Sequence, residues 1–512
     1  MKKLLLYIIL NSSFINAQIS PSIEWQKCLG GSQNDYPFCI SQTFDMGYIV
    51  GGYSFSNDGD VAGNHGGFDY WVVKLNSLGG IQWQKSLGGS VADECYSLQQ
   101  TADGGYILAG SSRSNDGDVT GNQGNNDVWI VKLSSTGSIQ WQKTFGSISG
   151  EGASSVKQTT DGGYVVAGYA SINGGDVSGA HGNDDFWILK LDSNGNLQWQ
   201  KCLGGTDDDL ASSIEQTADG GYIVGGGSKS IDGDVTGNHG LNDYWVVKLS
   251  TTGSVQWQKS IGGSGDDGAA SLQQTSDGGY IIIGNTSSND GDVFGYHPSG
   301  TDGWIVKLNS LGSIEWQKCL GGPGIDSGSS IKQTTDGGYI ASGRSASIGG
   351  DVTLNHGQLD TWVIKLDSIG FIQWQNSYGS PFSEESYSIQ QTSDGGYIAL
   401  SIVILDGGDV SGSHGNYDYW VVKLSPLTGL RENENAEKII VTPNPSNGKV
   451  TFNCQENEYK IEIIDIKGRI VFKTISKNSI NTIDLNEKDK GIYFYKITNS
   501  NKVIQQGKII IQ

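Results

Sequence analysis

The sequence is poor in proline (8 of 512 residues), cysteine (6) and histidine (6), and it is short of basic side chains. Scarce proline beside 77 glycines places the glycine in turns and excludes a disordered Pro/Gly tract. Beyond the N-terminus no segment approaches 18 consecutive apolar residues, so the mature chain is expected to be soluble or surface-attached. Lys and Arg number 33 against 54 Asp and Glu, a net charge of −21. Residues 436–512 hold 12 Lys/Arg and 8 Asp/Glu, so the rest of the chain carries about −25. That balance excludes nucleic acid and anionic lipid as partners, which need clustered cations. It is compatible with cations or neutral glycans. No G-x-S-x-G or H-E-x-x-H run occurs, and no singular catalytic constellation is visible.

The six cysteines do not read as a disulfide framework. Cys28, Cys202 and Cys319 share one position of a repeat that elsewhere holds Ser86, Thr144, Ser260 and Ser377, which marks a small packed slot. Cys39, Cys95 and Cys454 show no evident partners, so few or no disulfides are expected.

What is present is a ruler of 14 tryptophans. Trp25, Trp83, Trp141, Trp199, Trp257, Trp316 and Trp374 each precede Gln. Trp71, Trp129, Trp187, Trp245, Trp304, Trp362 and Trp420 each open a W-[VI]-[VIL]-K-L run. Both series step by 58 residues, with one step of 59, so each repeat is one supersecondary unit. In the copy Gly89–Lys143, apolar and polar residues alternate over Cys95–Thr101, Tyr106–Gly110, Val128–Leu133 and Ile139–Lys143. The turn Asp103-Gly104-Gly105, the polar loop Ser111–Asn126 and the turn Ser134–Ser138 separate them. Period-two runs between Gly/Asp/Ser turns are strands, here called a, b, c and d. Four strands per repeat predict an all-β, seven-bladed β-propeller over residues 18–425, with a β-solenoid as the runner-up. The array begins with a lone d strand, Ile23–Leu29, and ends with a c strand, Tyr419–Leu424. The first is expected to complete the last blade and close the ring, which removes open edges.

The runs D-G-G-Y-[IV]-x-x-G, D-x-W-x-[VIL]-K-L and G-x-[IVL]-[QE]-W-Q resemble the propeller repeats called delta-60. The segments S-N-D-G-D-V and G-N-H-G are similar to those of long secreted repeat proteins of Bacteroidota. The resemblance spans about Ile23–Leu424 and implies a fold more than an activity.

The d–a crossover and the b–c loop share one end of each blade, and the recurring polar residues gather there. One crossover position is acidic in every copy: Asp35, Asp93, Glu151, Asp209, Asp267, Asp326 and Glu384. The Asp of G-D-V recurs at Asp60, Asp118, Asp176, Asp234, Asp292, Asp351 and Asp409. Five residues on come His65, His181, His239, His297, His356 and His414, with Gln123 in the second blade. Another Asp precedes strand c in each copy, from Asp69 to Asp418. The structural expectation is a peg at each blade that joins the histidine, the crossover carboxylate and a Trp N–H, because buried polar groups must be satisfied. The functional alternative is calcium, held by the alternate carboxylates Asp58/Asp60, Asp116/Asp118, Asp232/Asp234 and Asp290/Asp292. The first Asp becomes Gly174, Gly349 and Gly407 in three copies, and no copy carries a full 12-residue loop. Paired carboxylates could serve glycoside hydrolysis, but a sevenfold repeat lacks the asymmetry that splits two pKa values. Asp207–Asp209 and Glu384–Glu385 are expected to be a solvated acidic rim. The tryptophans, flanked by aliphatic residues, are expected in the core between blades, not as sugar platforms.

At the N-terminus Lys2 and Lys3, the apolar run Leu4–Leu10 and Ala17 read as a signal peptide over residues 1–17. Residues 426–438 read as a linker. The tail 439–512 is expected to be a small β-sandwich with strands at Lys460–Ile466, Arg469–Thr474, Ile492–Ile497 and Lys508–Ile511. Three motifs occur in order: Thr442-Pro443-Asn444-Pro445-Ser446-Asn447-Gly448, Asp465-Ile466-Lys467-Gly468-Arg469 and Lys490-Gly491-Ile492-Tyr493. They resemble the type A sorting domain of the type IX secretion system of Bacteroidota, with Thr442 where Tyr or Phe is usual. The resemblance implies type IX machinery as a partner, removal of the tail, and a secreted or outer-membrane-surface location. The expectation is therefore a monomeric binding or adhesion propeller with a glycan or other cell-surface ligand. A glycan-active enzyme and a structural surface-layer protein remain the alternatives.

Overall fold

Apolar residues at every second position, broken by Asp, Gly and Ser, make strands throughout the chain, and no helix occurs among the described residues. The computed structural model describes residues 20–427, 440–443, 445–453, 459–465, 469–476, 480–499 and 502–511. The expected signal peptide, residues 428–438 of the linker, Asn444, Cys454 and Gly468 lie outside them. Two compact units part between Pro426 and Leu427.

The first unit holds seven four-stranded antiparallel sheets. Six are continuous in sequence. Blade 1 runs through Asp35–Gln42, Tyr48–Ser54, Asp69–Leu75 and Ile81–Leu87, in that spatial order. Blades 2 to 6 repeat this from Asp93, Glu151, Asp209, Asp267 and Asp326. The seventh sheet takes three strands from the end of the array, Glu385–Gln391, Tyr397–Val403 and Asp418–Leu424. Its outer strand is Ile23–Leu29, paired antiparallel with the last of these. The a strands pack against one another from blade to blade, and Asp35–Gln42 also packs against Glu385–Gln391, which closes the ring.

The strands are longer than the hydrophobic pattern suggests. In blade 2 strand a starts at Asp93, two residues before the apolar alternation, and strand c starts at Asp127. Their polar ends join the ladder because hydroxyls and backbone N–H groups bind the carboxylates. Strand c is buried along its whole length, as in Asp127–Leu133, because blades cover both its faces. Its tryptophans are at most 1% exposed and anchor the clusters between blades. The W-Q tryptophans are half-buried, apart from the buried Trp374. Each sets its ring edge against a tyrosine of strand b in the next blade, as Trp83 does on Tyr106 at 5.7 Å. Cys39 and Cys95 correct the cysteine reading: they come together between blades 1 and 2, where burial and the neighbouring Cys39 thiol push the Cys95 pKa up.

The second unit is built from two sheets around one core that includes Phe452, Tyr459, Ile461, Ile483, Ile497 and Ile509. One sheet pairs Ile440–Thr442, Lys449–Asn453 and Ile480–Asp484, none of which the alternation pattern marked. The other runs in the order Ile470–Ser476, Tyr459–Asp465, Gly491–Asn499, Lys502–Ile511.

Candidate functional site

The loop-rich end of each blade begins with the crossover carboxylate. Asp93 opens strand a and is fully buried. It accepts hydrogen bonds from the Gly89 N–H at 2.7 Å, from Ser114 Oγ at 2.9 Å and from Ser112 Oγ. Asp35, Asp267 and Asp326 are held in the same way by Ser54 and Ser56, Thr286 and Ser288, and Ser345 and Ser347. Asp209 takes the Gly205 N–H at 2.8 Å and Ser230 Oγ at 2.8 Å.

The two glutamates use another set. In blades 3 and 7 the hydroxyl positions of strand b hold Ala170 and Ile172, and Val403 and Leu405. The longer Glu151 and Glu384 side chains turn instead to Ser147 and Ser380, which replace the crossover glycine and supply both N–H and Oγ. All seven crossover carboxylates are fully buried. Asp209 and Glu384 are therefore not part of a solvated rim: donors hold both oxygens of Glu384 and Oδ2 of Asp209, while Asp209 Oδ1 has no hydrogen-bond partner among the described residues.

The histidines do not bond those carboxylates. His65 donates from its backbone N and shares Nδ1 with Oδ2 of Asp69, at 2.9 and 2.6 Å. His239 and Asp243, His297 and Asp302, and His356 and Asp360 repeat the pair at 2.7–2.9 Å between Nδ1 and Oδ2. His181 sits at 3.2 Å and His414 at 3.4 Å from Asp185 and Asp418. The far edge of the ring faces the next blade. His356 Nε2 lies 3.9 Å from Asp409, and His414 Nε2 lies 3.9 Å from Asp60. Gln123, in the histidine position of blade 2, donates to Asp176 at 2.7 Å. The Trp N–H takes no part in this peg. It donates to a Gln of strand d, as Trp129 does to Gln142 at 2.9 Å.

The Asp before strand c is buried too, and in all seven copies its Oδ1 has no hydrogen-bond partner among the described residues. Burial pushes Asp69, Asp127, Asp185 and Asp418 up to about 6, and the neighbouring His or Gln loop only partly offsets it. The unpartnered oxygen faces the crossover carboxylate of the next blade. A Cβ on Gly88 would stand 2.5 Å from Asp93 Oδ2 and 2.7 Å from Asp69 Oδ1, so only glycine fits between them.

The alternate carboxylates considered for calcium point to separate partners. Asp58, Asp116, Asp232 and Asp290 each accept a backbone N–H of the crossover, at 2.7–2.8 Å, from Ser32, Ser90, Thr206 and Ser264. The second Asp turns the other way: Asp118, Asp234 and Asp292 accept from Gly88, Gly204 and Gly262 at 3.3–3.4 Å. Among the described residues no three His, Cys, Asp or Glu side chains converge.

The opposite end of each blade carries recurring ties of its own. Lys132 of strand c is 3% exposed and donates to Asp103 of the a–b turn at 2.9 Å, to Gln140 and to the Leu133 carbonyl. The same Lys–Asp tie recurs from Lys74–Asp45 to Lys423–Asp394. A second link runs round the ring: the a–b turn donates a backbone N–H to the Gln that ends the next strand a. Phe44 to Gln100 and Ala102 to Gln158 are examples, and Ser393 to Gln42 crosses the closure. The seven copies of Lys, Asp and Gln were the available signal.

Where polar ties repeat, the side chains near the axis do not. The crossover acid of each blade donates its backbone N–H to the residue before strand c of the previous blade, at 2.5–2.8 Å in all seven junctions. That fixed point carries Phe68, Asn126, Asp184, Asn242, Thr301, Leu359 and Tyr417, all half-buried.

In the tail Pro443 follows the strand Ile440–Thr442, and Pro445 and Gly448 lie in the turn before Lys449–Asn453. Ser446 Oγ donates to the Lys449 carbonyl at 2.7 Å and accepts from Gly448 N–H. Gly491 opens the strand in which Tyr493 donates to the Asp489 carbonyl at 2.7 Å.

Residues 441–512 match the family described as secretion system C-terminal sorting domain, and the tail belongs to that family. A regulatory protein, FlaEY of Caulobacter vibrioides, is 26% identical over 259 residues, covering 46% of this chain and 27% of that protein's length. Among solved structures, the Neurospora crassa Pan2 WD40 domain aligns with TM-score 0.42 and 11% identity over 78% of this chain and 95% of that one. Sqt1 from Chaetomium thermophilum gives 0.40 and 12% over 78% and 87%. PorZ, a surface component of the type IX secretion system of Porphyromonas gingivalis, gives 0.28 and 12% over 91% and 69%. The sorting tail implies export to the cell surface or the medium through the type IX machinery.

Proposed function

We propose that the exported chain is a binding or adhesion protein whose loop-rich face holds a glycan or other cell-surface ligand. One observation carries this reading. Seven half-buried positions, set by seven equivalent backbone hydrogen bonds, present six different residue types from Phe68 round to Tyr417. A rigid scaffold with varied side chains at one mouth is how binding surfaces are built on repeat folds. The recurring carboxylates and histidines, in contrast, are engaged in ties within and between blades. The resemblance of the tail to type IX sorting domains agrees with delivery to the surface, followed by removal of the tail.

The test has two arms. In a bacterium with a type IX system, the full chain reaches the surface or medium, and a chain ending at Lys438 stays inside the outer membrane. Purified full chain adheres to surface polysaccharide, and changing Phe68 and Tyr417 to Ser lowers that adhesion. Equal adhesion of wild-type and doubly changed chains would remove the loop-rich face from the account.

A further inference from the structure

One sector of the ring differs from the rest. Every described a strand of the first unit carries a β-bulge three residues after the crossover acid, as between Pro37 and Cys39 and between Cys95 and Ser97. A bulge leaves its residue unpaired and re-aims the side chain. The bulged residues are Phe38, Tyr96, Ser154, Ser212, Ala270, Ser329 and Tyr387. Three adjacent blades therefore carry aromatic rings, and the other four carry small side chains on the same backbone.

The rings touch across blades. Phe38 lies 4.8 Å from Tyr96 and 5.0 Å from Tyr387, centroid to centroid. Tyr53 stacks on Phe38 at 5.4 Å, and Tyr36 bridges Tyr53 and Tyr417 at 5.2 and 5.3 Å. All of these rings stay half-buried. The fold does not require them, since four blades make the same strand with Ser or Ala. Planar polar groups stand beside the strip. Tyr96 donates its hydroxyl to Glu94. Arg344 pairs with Glu385 at 2.6 Å, while its Nε has no hydrogen-bond partner among the described residues.

We infer that this strip, from Tyr387 through Phe38 to Tyr96, is the binding site for a neutral oligosaccharide. The inference rests on the binding reading above and names its site and ligand class. A pyranose presents an apolar C–H face and a rim of hydroxyls. Aromatic rings match the face, and carboxylate and guanidinium groups match the rim. A net charge of −21 disfavours polyanionic glycans and leaves neutral ones.

The experiment is calorimetric titration of the purified full chain with a panel of neutral hexasaccharides: β-1,4- and β-1,3-glucan, mannan, xylan and α-glucan. At least one is expected to bind. Phe38→Ser and Tyr387→Ser, which copy the residue of blades 3, 4 and 6, are expected to weaken it at least 10-fold with a cooperative melting transition and the far-UV spectrum kept. Phe294→Ser, on an exposed loop away from the axis, should leave binding unchanged. If Phe294→Ser removes binding and Phe38→Ser does not, the axial strip is wrong while the loop-rich face stands. If none of the hexasaccharides binds the wild-type chain, the ligand class is wrong.

Discussion

Trp420 Nε1 donates a hydrogen bond of 2.7 Å to Oε1 of Gln26, a residue 394 positions earlier in the chain. Six copies of the same bond lie within single repeats, from Trp71–Gln84 at 3.0 Å to Trp362–Gln375 at 2.8 Å. The closing strand thus repeats the chemistry of every other outer strand, and the ring has no weaker seam by construction. Gln26→Leu leaves a buried indole N–H without an acceptor and should cost about 1–2 kcal/mol. Gln200→Leu, at the equivalent bond inside blade 3, should cost the same within a few tenths. Urea unfolding of the two variants checks this, and a much smaller loss for Gln26→Leu would mean that the closure is frayed.

The Lys–Asp ties set an acid limit. Burial opposes ionisation of Asp161, but the Lys190 ammonium, the Thr159 hydroxyl and the Gly163 N–H outweigh it and hold the carboxyl down at about 2. Asp45, Asp103 and Asp277 are held at about 2 by the corresponding groups. A depressed pKa contributes stability above the unfolded value near 4 and loses it as pH falls toward 2. The buried Asp69, Asp127, Asp185 and Asp418 act in the opposite sense. Raised to about 6, they favour the protonated folded state, so stability declines as pH rises from about 4 to 6. Melting temperature should therefore climb from pH 2 to about 4 and fall from there to about 6. A continuous rise up to pH 7 would contradict the second limb. Asp127→Asn keeps an acceptor for the Gln123 N–H and should be neutral or stabilising at pH 7.

Removing one partner of a tie separates its two halves. Asp161→Ala strands the ammonium of Lys190, which is 3% exposed. We expect a loss on the order of 2 kcal/mol, below that of a fully buried pair because Asp161 is half exposed. Lys190→Met leaves that carboxylate facing water and should cost less. Equal losses would mean that burial of the lysine does not matter.

The glutamate blades make a coupled prediction. Glu151→Asp shortens the side chain where Ala170 and Ile172 offer no hydroxyl, and should destabilise by about 1–3 kcal/mol. Adding Ala170→Ser and Ile172→Ser rebuilds the set around Asp93 and should recover part of the loss. Strict additivity of the three changes in chemical denaturation would show that no such set exists.

Met46 stands at φ 67° in the a–b turn of blade 1, where the other blades place glycine at φ 79–84°. Met46→Gly relieves a left-handed side chain and should stabilise by about 0.5–1 kcal/mol after glycine's entropy cost. A destabilised variant would show that the side chain contributes more packing than strain.

The tryptophan period made the blade, its four strands and the closing strand legible, because apolar alternation and turn residues act locally. Strand ends were hidden: Asp93 and Glu94 read as loop until the donors around Asp93 are seen. Alternation along strand c does not reveal that Lys132 is buried, because that depends on blades covering both faces of the strand. The histidines were recognised, but their acceptor was assigned to the crossover because loop geometry over 20 residues is not local. Glu151 beside Ser147, Ala170 and Ile172 is a compensating set that position-by-position comparison of repeats could have found. Phe38, Tyr96 and Tyr387 escaped for the opposite reason. These three differ from the Ser or Ala that the other four copies hold at the same position.

The central claim is that recurring polar residues hold the ring and singular aromatic residues bind. It is tested most directly by measuring melting temperature and hexasaccharide affinity together for Asp209→Ala and Tyr387→Ser. Asp209→Ala should lower the melting temperature and leave the affinity of the folded chain unchanged, whereas Tyr387→Ser should do the reverse. Loss of binding in Asp209→Ala at an unchanged melting temperature would contradict the account.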